Sequence, residues 1–572
     1  MVNKNQYYED LFHNNFPAPS PRNKQKPAII NILKQLHDDK SVVQLNAPPG
    51  LGKSIILATV ANAIEGDVFY TTPLNTLVDQ LENDPFIGDR IMTMKGQSHY
   101  ECINDYAPPG VMVDKAPCQK QSNFDCDIKD ECHYYGRRKQ AKDHPFVVTN
   151  LSYLMSDSMM KQEGNDSAFE DRDLLIVDEC QNIDEFALDF ISFTISRNTV
   201  PDDVWKNIRI PHERYEDDID KLVDWVDTEL SEEVKSAITS RRKKDRKTDK
   251  DVKELDELNR YKQKIDKFLT DCIENDWIPE IDYYSANSSN NKIKFKPVTV
   301  DRFLHKLLWD RADQIIMSSA TIPMGNWIKE VGHAKSDAHK FTLGSLFNIA
   351  NRPIITSQTI GKMTYNERED NALPMAKKIK EIAEFHSGQK GMVHCRSYGI
   401  AELLRDAFYE NGMRSWFNNN VHLQKREFRD RAIDEWQNSS KPLMFSVNMS
   451  EGISLDDDQC RYQILAKVLF PNMGDRRTKY RLQERGEQIW YDNQAAIQIE
   501  QAYGRAVRGT DDYAVFYVLD ESAIGLINKR AGRKNEWHNL FHDWFLEALI
   551  EMNYGKTGVD PNMPVLSNRA WL

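Results

Sequence analysis

Short unbroken apolar runs alternate along this chain with stretches of helical spacing. Val42 to Leu45 is a short, mainly apolar run, and Leu174 to Val177 carries no polar residue, which predicts a strand covered on both faces of a sheet. The first run leads through a glycine- and proline-rich turn into an apolar helix pattern from Ile55. Between Lys390 and Asp520 the runs "GMVHC", "PLMFSV", "YQILAKVLF" and "YAVFYVL" recur between helical stretches such as "SYGIAELLRDAFYENG". Such βα alternation predicts a second parallel-sheet domain. One region departs from the pattern: from about Arg197 to Asn290 the chain reads as mostly helical, and "SRRKKDRKTDKDVKELDELNRYKQK" reads as a solvated helical hairpin.

Composition narrows the class. At 572 residues the chain is too long for one core, so three or four domains are expected. With 40% hydrophobic and 28% charged residues it fits a globular protein. No run of eighteen apolar residues occurs, and "MVNKNQYYEDLFHNN" lacks the apolar segment of a signal peptide. The expectation is a protein of the cytoplasm, associated with the nucleoid, or of a nucleus, without a membrane partner. Cysteines there stay reduced, which weighs against disulfides. The net charge of −13 argues against a broad basic face for duplex DNA, yet permits a narrow basic channel for one strand.

The turn after Val42–Leu45 carries chemistry. "APPGLGKS" fits the phosphate-loop pattern G-x-x-x-x-G-K-[ST], with Ala47 in place of the first glycine. In the loop Pro49, Gly50, Leu51, Gly52, the glycines allow backbone N–H groups to turn around phosphate oxygens. Lys53 then reaches the β- and γ-phosphates and Ser54 holds Mg²⁺. In "DLLIVDECQNID", Asp178 and Glu179 stand at the carboxyl edge of a buried strand. Asp178 suits the metal, and Glu179 suits deprotonating the attacking water. ATP hydrolysis is the leading reading. In "QAYGRAVRG", Arg505 and Arg508 are spaced to share a helix face, with Gln501 one turn earlier. Arginines from a second domain can stabilise charge on a transferring phosphoryl group.

Cys102, Cys118, Cys126 and Cys132 are separated by fifteen, seven and five residues. No C-x₂₋₄-C pair of a structural zinc site occurs among them. Spacing leaves an iron–sulfur cluster, zinc and no metal all open.

Taken in order, the phosphate loop, "DECQ", "SSATI", "HCRSY", "SEGISL" and "QAYGRAVR" resemble the superfamily 2 helicases. "MKGQSHYEC", "CHYYGRRKQA" and "VVTNLSYLMSD" narrow the resemblance to the XPD/DinG branch of iron–sulfur helicases. It spans about Phe16 to about Asp520. It implies an α/β fold: two RecA-like parallel-sheet motor domains with an inserted cluster lobe and an inserted helical arch. The implied boundaries are 1–94, 147–196 and 291–345 for the first motor, 95–146 for the lobe, 197–290 for the arch and 346–572 for the second motor. It favours a [4Fe–4S] cluster on the four cysteines, and implies ATP and Mg²⁺ as cofactors.

Further residues follow from the same resemblance. Gln25, with Arg22 beside it, would read adenine, and Gly452 would belong to the nucleotide site. Ser319 and Thr321 would couple hydrolysis to movement. Thr71, Thr72, Pro73, Arg396, Ser397 and Tyr398 would touch DNA, together with Tyr135, Arg137 and Arg138, whose rings and guanidinium groups suit single strands. The implied activity is 5′→3′ translocation on single-stranded DNA and unwinding of forked duplex DNA by a monomer. Two departures stand out: Cys180 and Gln181 replace the usual Ala-His, and Ser454 stands where an aspartate is usual, with Asp456 or Asp457 as substitutes. Two rival readings remain: a DNA-stimulated ATPase or binding module without productive unwinding, and an RNA-directed translocase.

Overall fold

Leu174 to Val177 are fully buried, as an unbroken apolar run requires of a strand with helices on both sides. The computed structural model describes residues 4–549 apart from 39–41, 121–123, 163, 165–166, 244–247, 275, 326, 334–337, 427–430, 448–454 and 532–537. The chain lays down β1 (Val42–Asn46), β2 (Val68–Thr72), β3 (Met92–Met94), β4 (Phe146–Asn150) and β5 (Arg172–Asp178). It then enters a side region with β6 (Phe193–Ser196), β7 (Trp277–Asp282) and β8 (Lys292–Pro297), and returns with β9 (Ala312–Ser319) and β10 (His339–Thr342). Seven of these strands form a parallel sheet in the order β10-β1-β9-β5-β2-β4-β3. Asn46 lies opposite Ser319, and Asp178 opposite Ser318. The register thus brings the phosphate loop, the acidic pair and the "SSAT" turn out at one carboxyl edge, where open α/β sheets bind ligands.

A second parallel sheet follows: β11 (Ile354–Ile355), β12 (Gly391–His394), β13 (Val421–Leu423), β14 (Leu443–Ser446), β15 (Tyr462–Leu465) and β16 (Val515–Val518). Its order is β11-β16-β15-β12-β14-β13. The four apolar runs read from the sequence are β12, β14, β15 and β16.

The side region differs from its mostly helical reading. Its helices Ser231–Arg242 and Asp249–Glu274 do pack together as a hairpin. They lie on a three-stranded antiparallel sheet, β6-β8-β7. Two of these strands, β6 and β8, lie outside the 197–290 span. "KIKFKP" in β8 alternates exposed or half-buried lysines with buried residues, the period of a strand with one face in the core. Its lysines disguise that period.

A helix of the second domain, Arg476–Gln483, clamps this assembly. Arg477 is 5% exposed, donates to Asp184 Oδ1 at 3.0 Å, and gives its Nε–H to the carbonyls of Pro297 and Val298. Arg481 lies over the Trp490 ring at 4.0 Å. Burial pushes the Asp184 carboxyl up, but Arg477 and Arg481 outweigh it and hold the pKa below the usual range. A lowered folded pKa gives stability that is present above the unfolded value near ~4 and lost as pH falls through the folded one. Arg477→Ala should therefore lower stability by about 2 kcal/mol at neutral pH, because it leaves the half-buried Asp184 carboxylate with Arg481 as its remaining cation. The deficit should shrink below about pH 4. Urea unfolding of both proteins across pH checks this, and equal midpoints at pH 7 would contradict it.

Candidate active site

The turn after β1 is shaped by two glycines with left-handed backbone, Gly50 (φ 77°) and Gly52 (φ 81°). Neither has room for a side chain. A Cβ on Gly50 would lie 2.2 Å from Phe347 Cζ, and one on Gly52 would lie 2.5 Å from Gln25 Nε2. Gly52 caps the helix Lys53–Ala63, so the free N–H groups of the first turn point into the loop and favour an anion. Ala47 N–H donates to Ser319 O at 2.9 Å, tying the start of the loop to the end of β9.

Lys53 Nζ donates to Glu179 Oε1 at 3.0 Å. Ser54 hydrogen-bonds to the Tyr70 hydroxyl, which donates to Asp178 Oδ2 at 2.8 Å. Asp178 Oδ1 accepts the Glu179 N–H at 3.0 Å, and Gln181 Nε2 donates to Glu179 Oε2 at 3.1 Å. Glu179 has φ 49°, a left-handed conformation that costs on the order of 1 kcal/mol for a side-chain-bearing residue. This backbone turns the carboxylate back toward Lys53. Burial raises the Asp178 pKa despite Lys53. At Glu179 burial acts upward too, but Lys53, Gln181 and Arg505 outweigh it and hold the group low. Two adjacent acids are thus driven apart, with Glu179 the one kept ionised. Lys53 is pushed down by burial, yet Glu179 and Asp178 dominate and raise it, so it stays cationic.

These groups line a cleft of about 480 Å³ whose other wall belongs to the second sheet's domain. Gln501, Arg505 and Arg508 all line it, as does Asp456, one of the two aspartates expected to stand in for the missing motif aspartate. The expectation that the two arginines share a helical face is corrected. The helix Gln488–Tyr503 stops at Gly504, and Arg505 and Arg508 lie in the loop beyond. Gly504 sits against the phosphate loop: a Cβ there would lie 2.7 Å from Pro49 Cγ. Gln501 Nε2 donates to Thr321 Oγ1 at 3.3 Å across the cleft, and Thr321 N–H donates to Ser319 Oγ at 2.9 Å.

Other expected residues take different places. Arg22 lines the cleft and donates to Gly50 O. The Gln25 amide is engaged on both sides, accepting from Arg22 N–H at 2.7 Å and donating to Leu51 O at 3.0 Å. It braces the loop. Thr71 and Thr72 are buried and bond to the carbonyls of Ile176 and Leu74, while Pro73 lines the nucleotide cleft. Arg396 is 4% exposed and directs its guanidinium to Gln498; Ser397 caps the helix Tyr398–Glu410. These threonines, Arg396 and Ser397 are thus interior or capping groups, because each must satisfy backbone or helix partners at a strand end. Tyr398 is half-buried with Arg426 over its ring. Gly452 lies outside the described residues.

In the lobe, Arg137 is half-buried and bonded to Thr93 O and Glu82, and Arg138 is half-buried. Tyr135 accepts from Gln119 at 2.9 Å, with Lys129 over its ring. Cys102, Cys118, Cys126 and Cys132 line one small cavity with Val113, Ala116 and Ile128. Asn104 donates to Cys126 Sγ at 3.5 Å, and Gln119 to Cys118 Sγ at 3.8 Å. Among the described residues no group of three or more His, Cys, Asp or Glu is placed to hold a metal ion.

Sequence reasoning did not single out Tyr70, and took Gln181 only as a departure. Tyr70 stands out in hindsight as the one polar tip in the buried "VFY" run beside the acidic strand. Glu179→Gln should keep ATP binding near wild type and slow hydrolysis by about 10²–10⁴-fold. Nucleotide-binding and phosphate-release assays check this, and an equal loss of binding would contradict the assignment.

Residues 18–185 match the family model for the type III restriction enzyme res subunit, and residues 379–534 that for the helicase C-terminal domain. The chain is 18% identical over 605 residues to the ATP-dependent DNA helicase YoaA of Escherichia coli, covering 89% of this chain and 92% of that protein. It is 20% identical over 598 residues to YoaA of Haemophilus influenzae, covering 88% and 91%. Its fold is similar to that of S. tokodaii Xpd4, at 16% identity and TM-score 0.53, covering 91% of this chain and 97% of that one. A solved XPD helicase is similar at 17% identity and TM-score 0.55, covering 88% and 96%.

Proposed function

We propose, for a chain that is an XPD/DinG-like ATP-dependent DNA helicase, that hydrolysis in the cleft drives 5′→3′ movement along single-stranded DNA and opens forked duplex DNA at the cysteine lobe. The observation that carries the reading is the meeting of Lys53, Ser54, Asp178 and Glu179 from one sheet with Gln501, Arg505 and Arg508 from the other on a single cleft. Phosphate oxygens would take the loop N–H groups, and Lys53 would exchange Glu179 for the γ-phosphate. That exchange frees the Glu179 carboxylate to accept a proton from water. Arg505 and Arg508 offset charge on the transferring group only when the two domains close. The Gln501–Thr321 bond carries that closure to the "SSAT" turn. Ser54 and Asp178, linked through Tyr70, are the groups to hold Mg²⁺, which when bound neutralises phosphate charge.

The four thiols are read as ligands of a [4Fe–4S] cluster. All four sulfurs line one cavity, and four thiolates are the ligand set such a cluster takes. The N–H groups of Asn104 and Gln119 near two sulfurs suit thiolates. The cluster would supply a rigid anchor for a loop-rich lobe. The active form is read as a monomer of the cytoplasm and nucleoid, or of a nucleus.

The hydrogen bond from Gln181 to Glu179 supports retained hydrolysis, since the altered motif still holds the base, and strand displacement distinguishes unwinding from the reading without it. ATP turnover with DNA or RNA of matched sequence tests the substrate. Single-stranded DNA should stimulate more strongly, and stronger stimulation by RNA would overturn the DNA reading.

A further inference from the structure

A cavity of about 510 Å³ lies where the side region joins the first sheet's domain, apart from the nucleotide cleft. Its walls are aromatic. Phe193 and Phe268 stack with ring centroids 4.7 Å apart, and Trp277 meets Phe268 edge-on at 5.2 Å and Phe303 at 5.9 Å. Tyr261, from the long helix Asp249–Glu274, also lines the cavity. It is 5% exposed, and its hydroxyl is buried with no hydrogen-bond partner. A buried phenol normally finds one, because leaving the bond unmade is costly. The interior of the side region could have used phenylalanine at this position, as it does at Phe268 one turn-pair along the same helix.

The rim is cationic. Lys264 and Lys267 project from the same helix, and Arg302 and Lys306 from the helix Asp301–Leu307. Lys264, Lys267 and Lys306 form no ion pair among the described residues. The opposing acids are Asp271, which feels Lys267 and Lys306, and Glu274, whose backbone carbonyl takes Arg302. Four cations thus face two carboxylates. Flat apolar walls favour a planar ring, the free hydroxyl favours a polar edge on that ring, and the lysines favour an anion beyond it.

We infer that this cavity binds a nucleotide, with its base against Phe193, Phe268 and Trp277, the polar edge of the base on the Tyr261 hydroxyl and the phosphate on Lys264, Lys267 and Lys306. The nucleotide is either a free monophosphate or one unit of a strand. The inference does not depend on the motor reading, because no residue of the cleft takes part.

Equilibrium dialysis of the full chain with labelled thymidine 5′-monophosphate tests it, with the cleft saturated by a non-hydrolysable ATP analogue. Saturable binding is expected. Tyr261→Phe and the double change Lys264→Glu/Lys267→Glu should each weaken it at least about tenfold, as losing a buried hydrogen bond or a charge pair does. Thymidine without phosphate should bind correspondingly more weakly. Basal ATP turnover of both variants should match wild type, which reports intact folding. Competition by a 5′-phosphorylated oligothymidylate supports the site with a strand as the source; binding without such competition supports it with the free nucleotide. Absence of saturable binding, or binding that both variants leave unchanged, overturns the inference.

Discussion

Replacing Lys53 with alanine should cut ATP turnover at least about a thousandfold while leaving the fold intact. Lys53 is the cation nearest both acids, and among the described residues no other lysine lines the cleft. Its loss removes charge offset on the β- and γ-phosphates, and it removes the partner that keeps Glu179 ionised. The side chain projects into the cleft from a helix start, so the buried face of that helix, Ile56, Leu57 and Val60, is untouched. Phosphate release with and without single-stranded DNA measures the effect, and circular dichroism controls for folding. Turnover near wild type would remove Lys53 from the chemistry.

Cys102→Ser should abolish iron binding and, with it, most strand separation. Cys102 is held by a backbone bond from its N–H to Val111 O at 2.8 Å, and Cys132 precedes the helix His133–Asp143. The four cysteines come from separate short segments, so a bound cluster would cross-link those segments. The wild-type protein should be brown and carry iron with matching acid-labile sulfide; the variant should carry neither. Protein that holds zinc and no iron would reject the cluster.

Much of this was legible in the chain. Buried parallel strands announce themselves as unbroken apolar runs, and the phosphate loop and acidic pair sit at strand ends where chemistry is local in sequence. What was not legible depends on what packs against what. The helix after Gln488 ends at Gly504 because the phosphate loop of the other domain presses there, a contact no local pattern encodes. Thr71 and Thr72 look like surface polar groups until the register of β2 turns them inward, and Arg396 until its loop directs the guanidinium to Gln498. The strand Lys292–Pro297 hides behind three lysines whose stems cover one face while the alternate residues enter the core. Gln181 stood out in the sequence only as a departure from the usual motif; its amide donates to Glu179 Oε2, beyond the left-handed turn at Glu179.

The central claim is that ATP hydrolysis in this cleft separates DNA strands. The most direct measurement is strand displacement from forked DNA duplexes bearing either a 5′ or a 3′ single-stranded tail, with ATP and Mg²⁺. The account predicts ATP-dependent displacement on the 5′-tailed fork, lost in Lys53→Ala. ATP turnover stimulated by single-stranded DNA with no displacement on either fork would contradict it.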